Sequence, residues 1–98
     1  MNDFSVDIDR LGDRLFTALC EAQAIAPLTD SHPQLTLEQA YGIQQRLIAR
    51  RLDSGERLIG KKIGVTSQAV MDMLGVNQPD FGQLTDAMVV EQGASVPI

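Results

Sequence analysis

A lysine set between two glycines and an aspartate set behind a proline are the residues of this chain best placed to do chemistry. The run Leu58-Ile59-Gly60-Lys61-Lys62-Ile63-Gly64-Val65 is short, partly β-branched and bounded by turn formers, which predicts a strand. Alternation along it puts Ile59, Lys61, Ile63 and Val65 on one face and Leu58, Gly60, Lys62 and Gly64 on the other. Glycine inside a strand weakens it and often marks the close approach of a ligand, so Lys62 between two bare positions could reach across a groove to an anionic group. A solvated lysine on an edge strand satisfies the same pattern. Asp80 stands in the turn-rich stretch Asn77-Gln78-Pro79-Asp80-Phe81-Gly82, read as a loop. Beside an aromatic wall and a flexible glycine its carboxylate suits an acid or base, and it equally suits an Asx-type hydrogen bond that organises the turn. Asp72 and Asp86 read as solvated or capping.

Other chemical signals are weaker. The stretch from Gly55 to Lys62 nearly matches a phosphate loop, but Lys62 stands where the magnesium-binding Ser or Thr belongs. The segment also follows a helix and enters a strand, the reverse of the order a phosphate cradle needs. His32 has no cysteine or carboxylate partner at ligand spacing, and Cys20 has no nearby histidine to activate it; both read as structural. Met71, Met73, Leu74 and Met88 read most simply as core filler.

The elements that must position Lys62 and Asp80 follow from periodicity. Ile8, Leu11, Leu15, Ala18, Leu19 and Ala22 keep helical spacing, with Asp7, Asp9 and Asp13 toward the N-terminal end where the helix dipole favours anions. Pro27 and the segment Thr29–Pro33 break the pattern and read as a connector. Thr36 with Gln39 forms a capping box, and Leu37, Ala40, Tyr41, Gln44, Leu47, Ile48 and Leu52 trace the apolar stripe of a second helix. Its opposite face, with Glu38, Arg46, Arg50 and Asp53, reads as solvated. A third, short helix from Gln68 to Leu74 is capped by Thr66 or Ser67 and closed by Gly75. Strands are expected around Ala87 to Val90 and near Ser95. The fold class is therefore mixed, α/β or α+β, with N-terminal helices packed on a small sheet.

Composition bounds the rest. Ninety-eight residues, 44% of them hydrophobic and 21% charged, fit one small domain with a modest aliphatic core. A net charge of −5 disfavours phosphate backbones and anionic lipid as partners. The lone Cys20 cannot form an internal disulfide, the acidic N-terminus is unlike a secretory signal, and no apolar run approaches membrane-spanning length; a cytoplasmic protein is expected.

The series Gly60-Lys61-Lys62-Ile63-Gly64-Val65-Thr66-Ser67, Met73-Leu74-Gly75-Val76, Gln78-Pro79-Asp80-Phe81-Gly82 and Leu84-Thr85-Asp86-Ala87-Met88 resembles the N-terminal part of the 2-hydroxypenta-2,4-dienoate (2-oxopent-4-enoate) hydratases. These belong with the 4-oxalocrotonate decarboxylases in the fumarylacetoacetate hydrolase superfamily. The likeness extends more weakly back through Ala26-Pro27-Leu28-Thr29 and Ala40-Tyr41. It implies the N-terminal part of a fumarylacetoacetate hydrolase-like fold and a lyase of the meta-cleavage pathway for aromatic compounds, adding water to 2-hydroxypenta-2,4-dienoate to give 4-hydroxy-2-oxopentanoate.

The resemblance further implies Lys62 and Asp80 as catalytic positions, with Lys62 holding the substrate carboxylate or developing enolate and Asp80 moving protons or activating water. Leu74 and Phe81 join Lys62 as substrate-binding positions. A divalent metal, magnesium or manganese, chelates the 2-oxo acid in this family through glutamates of an E-x-E motif expected beyond Ile98; Glu91 is not in such a motif, so no metal ligand is expected within these residues. The chain is thus expected to be one N-terminal domain, residues 1–98, of a longer enzyme. Homo-oligomers and association with 4-oxalocrotonate decarboxylase are implied partners. The sister decarboxylase and a non-catalytic interaction module are the competing readings, and Asp80 favours the hydratase.

Overall fold

A computed structural model describes residues 6–96 of the chain, which divides into two compact units, Met1–Gly55 and Glu56–Ile98. The first is helical. Helix α1 (Ile8–Glu21) starts at Asp7, whose carboxylate accepts from the Arg10 amide at 3.0 Å, and ends at Ala22 in the left-handed region. Helix α3 (Leu37–Asp53) starts with the expected capping box: the Gln39 amide donates to Thr36 Oγ1 at 3.1 Å, and the Thr36 amide donates to Gln39 Oε1 at 2.9 Å.

Between them the expected connector contains one short helix, α2 (Leu28–Ser31). Pro27 precedes it as the N-cap, with φ −53° and ψ 137°, and the Ser31 hydroxyl donates to the Leu28 carbonyl at 3.3 Å.

Helices α1 and α3 pack on each other around Leu11, Ile43 and Ile48, the buried hydrophobic residues among those described. Each such side chain contributes about 1.5–3 kcal/mol by leaving water. The expected stripe on α3 included Ile48 but not Ile43, which is only 2% exposed, whereas Leu37 and Leu52 at the two ends of the helix are exposed. Gly12 sets how closely the helices approach, since a Cβ there would lie 2.4 Å from Arg46 Cβ and 3.0 Å from the Ile43 carbonyl oxygen.

On the face of α3 expected to be solvated, Glu38 and Asp53 are exposed but Arg46 and Arg50 are ion-paired to α1. Arg46 grips Asp13 with two donors, Nε to Oδ1 at 2.8 Å and a terminal nitrogen to Oδ2 at 3.3 Å, and Arg50 reaches Asp13 Oδ1 at 2.9 Å. Arg50 also lies over the Phe16 ring, 4.7 Å from its centroid. Arg46 and Arg50 therefore mark the seam with α1, a pairing that periodicity along α3 alone does not reveal.

The second unit is built on an antiparallel pair, β1 (Leu58–Gly64) and β2 (Asp80–Thr85), connected through α4 (Gln68–Leu74). Helix α4 has the expected caps, with Ser67 Oγ accepting from the Val70 amide at 3.2 Å and Gly75 at φ +71°. The strand expected at 87–90 is replaced. The second strand lies upstream, and Asp86–Met88 forms a 3₁₀ turn closed by the Val89 amide on the Asp86 carbonyl at 3.1 Å. Cross-strand hydrogen bonds with β1 outweigh the β-branched character of Val89 and Val90. Ser95 and Val96 are irregular, and the remainder of the strand expected there falls outside the described residues.

Candidate functional site

The site is built on the β1–β2 ladder. Its register pairs Gly60 with Leu84, Lys62 with Gly82, Ile63 with Phe81 and Gly64 with Asp80. Between Leu58 and Gly60 the register shifts, because Leu58 faces Thr85 and Gly60 faces the adjacent Leu84; Ile59 is the extra residue of a β-bulge. The far end of the bulge is fastened by polar groups. The buried Thr85 hydroxyl donates to Glu56, the Arg57 amide donates to Asp86 Oδ1 at 2.9 Å, and the Asp86 amide returns a bond to the Arg57 carbonyl at 2.9 Å.

From this register the pleat assigns faces. Directly opposed residues share a face and alternate residues return to it, so Gly60, Lys62, Gly64, Asp80, Gly82 and Leu84 stand together. Lys62 and Asp80 are diagonal neighbours, a relation that puts such positions about 7–8 Å apart and within reach of long side chains. Each faces a glycine across the ladder. A Cβ on Gly82 would lie 3.1 Å from Lys62 Cε and 3.2 Å from Cγ, and a Cβ on Gly64 would lie 3.7 Å from Asp80 Oδ2. Asp80 is thus the first residue of a strand and not part of a loop.

The other expected substrate-binding residues are not on that face. Phe81 alternates to the opposite side, paired with Ile63 and flanked by the Lys61–Gln83 pair. Leu74 is the last residue of α4 and is exposed. Met73 is 74% exposed, and Leu74 and Met88 are exposed, so among the described residues these three do not fill a core as expected; the Met88 sulfur accepts from the Thr85 amide at 3.5 Å. Asp72 accepts from Gln68 Nε2 at 2.8 Å, and Asp86 caps as described.

His32 Nδ1 sits 2.9 Å from the Ser31 hydroxyl, and Cys20 is an exposed free thiol. Sequence reasoning missed Gly82 as the surface beneath Lys62 and Thr85 with Glu56 as the register clamp. The signal for Gly82 was present as a glycine two residues after Asp80, but its meaning depends on the pairing.

A divalent cation needs several oxygen ligands. Among the described residues no three His, Cys, Asp or Glu side chains converge in a way that would hold a metal ion, so these residues do not fit the ion that the resemblance implies.

Comparison with known proteins adds the remaining observation. No family model matches the chain. It is 56% identical over 91 residues to a 2-hydroxyhexa-2,4-dienoate hydratase of Comamonas testosteroni, a match that covers 93% of this chain and 34% of the relative. It is 54% identical over 91 residues to a 2-hydroxypent-2,4-dienoate hydratase of Pseudomonas putida, covering 93% of this chain and 41% of the relative. Over its matched length the chain is a relative of these hydratases.

Among solved structures, a 4-oxalocrotonate decarboxylase from Pseudomonas putida G7, complexed with magnesium and adipate, superposes with a TM-score of 0.76 at 30% identity. That match covers 82% of this chain and 30% of the decarboxylase. The expected mixed class and the fumarylacetoacetate hydrolase-like fold hold over the superposed residues. The chain spans about a third of the length of the curated hydratases, 34% and 41% of the two named. No helix among the described residues is long and apolar enough to cross a membrane.

Proposed function

We propose that this chain supplies part of the active site of a lyase that adds water to 2-hydroxypenta-2,4-dienoate or a close homologue, giving 4-hydroxy-2-oxopentanoate or its homologue, in meta-cleavage catabolism of aromatic compounds. The observation that carries the reading is the placement of Lys62 and Asp80 on one face of a two-stranded ladder, diagonal to each other and each opposite a glycine, within a segment 54–56% identical to dienoate hydratases.

The chemistry asks for a fixed cation and a group that moves protons. Ketonisation of the dienol takes the proton from the 2-hydroxyl and delivers one to C5, leaving a conjugated 2-oxo acid. Water then adds its oxygen to C4 and a proton to C3. Lys62 holds the substrate carboxylate and the enolate charge that develops in both steps, and Asp80 carries protons to and from carbon or water.

Phe81 and Leu74 serve as pocket walls in this reading, from outside the ladder face that carries Lys62 and Asp80. A divalent cation, magnesium or manganese, belongs to the proposal with ligands from polypeptide outside these residues, and no role given to Lys62 or Asp80 runs through it. A cytoplasmic homo-oligomer, with association to 4-oxalocrotonate decarboxylase, completes the reading, in which residues 1–98 form the N-terminal domain.

The decarboxylase superposition favours a second reading, loss of carbon dioxide from 4-oxalocrotonate. The two separate in a chimera in which this chain replaces the matched segment of the Comamonas testosteroni hydratase, assayed on both substrates. Hydration of 2-hydroxypenta-2,4-dienoate without decarboxylation supports the hydratase. Decarboxylation of 4-oxalocrotonate alone, or no turnover of either by a folded chimera, overturns it.

A further inference from the structure

The geometry points to Gly82 as a positioning residue: the bare backbone at Gly82 is the surface on which the aliphatic stem of Lys62 lies, and it thereby sets where the ammonium is presented. The inference rests on the proposed role of Lys62 for its functional meaning, though not for its geometry.

Backbone conformation does not explain a glycine here. The positive φ angles among the glycines belong to Gly55, Gly75 and Gly93, so position 82 has a φ that any residue adopts. Space does explain it. The three heavy atoms nearest to a Cβ built on Gly82 all belong to Lys62, with Cε at 3.1 Å, Cγ at 3.2 Å and Cδ at 3.6 Å. Two of these, Cε and Cγ, are shorter than the ~3.5–4.0 Å of a favourable carbon–carbon contact. Gly82 is nonetheless buried, although its cross-strand partner Lys62 is exposed. A lysine commonly lays its methylenes on a surface and keeps its charge in water. On this face the stem lies across β2, covering position 82.

Gly60 provides the contrast on the same face. A Cβ there meets nothing within 4 Å, so its substitution leaves the Lys62 stem where it is. At Gly82 the first atoms to yield are those of a flexible side chain, so a methyl group there moves Lys62 before it disturbs the ladder.

The test is nuclear magnetic resonance on the 98-residue chain with Gly82→Ala, Gly60→Ala, Lys62→Ala and the Lys62→Ala/Gly82→Ala double variant. The unsubstituted chain and Gly60→Ala are expected to show contacts between the γ and ε methylenes of Lys62 and the α protons of residue 82. Gly82→Ala is expected to lose the close methylene packing, seen as shifted and motionally averaged Lys62 side-chain resonances, while the backbone contacts of the 62–82 and 63–81 pairs persist. Absence of the methylene contact in the unsubstituted chain overturns the inference, as do unchanged Lys62 resonances in Gly82→Ala.

Titration with 2-oxopentanoate as probe separates positioning from structure. Gly82→Ala is expected to weaken the probe about fivefold or more with Lys62 present and to change nothing with Lys62 already truncated. An equal loss on both backgrounds overturns positioning through Lys62, as does failure of the double variant to fold. A probe response unaltered by Lys62→Ala counts instead against the proposed role of Lys62 and leaves the methylene contact to decide the seat.

Discussion

Asp13 is the residue whose charge most directly ties one helix to another. The Arg46 guanidinium first, and Arg50 second, hold its carboxyl below the usual carboxylate range through hydrogen bonds across the α1–α3 seam. A depressed value in the folded state means that the stabilisation is present above the carboxylate's unfolded value, about 4, and is lost as pH falls through the lower folded value. Acid titration followed by helical circular dichroism should therefore show Asp13→Asn less stable than the unsubstituted chain at pH 6, with the difference closing at the acid end. A constant difference down to pH 2 would contradict the pairing. At the same scale, Lys62 was legible as unusual because glycines flank it, and Asp80 because it follows a proline. Gly82 was not, because its significance is the stem lying across it from another strand, and single-strand alternation carries no information about cross-strand pairing.

At the scale of elements, capping chemistry was readable and packing was not. Thr36 with Gln39, Ser67 and Gly75 act locally, within one turn, and the structure realises each as expected. Ile43, Arg46 and Arg50 take their roles from α1, and the 80–85 strand takes its role from β1 across a connection that contains a helix. No short hairpin turn announces that register, which explains why the second strand was expected too far along the chain. The α1–α3 crossing gives a sharp test. Gly12→Ala drives a methyl group into Arg46 Cβ and the Ile43 carbonyl, so denaturant unfolding is expected to lose about 1–3 kcal/mol, the usual cost of overpacking. An unchanged midpoint would show that the helices have room to separate.

At the scale of the molecule, the two units differ in how they bury apolar surface. Leu11, Ile43 and Ile48, the buried hydrophobic residues among those described, all belong to the first unit, while Ile59, Ile63, Met73, Leu74 and Phe81 of the second are more than half exposed. A two-stranded ladder is marginal by itself, and the apolar side chains of this unit add little burial to hold it. Native-state amide exchange should accordingly protect the amides of Ile43 and Ile48 at least about tenfold more than those of β1. Equal protection would mean that the ladder is held as firmly as the helix pair. The chain spans about a third of the length of its curated relatives, so what the remainder of those relatives contributes is not legible in these 98 residues.

The central proposal, that Lys62 and Asp80 act together from one face of the ladder, is tested most directly by hydration kinetics in the chimera described above. Lys62→Ala and Asp80→Asn are each expected to lower turnover of 2-hydroxypenta-2,4-dienoate at least about a hundredfold with the fold intact. Near-normal hydration by both variants would contradict it.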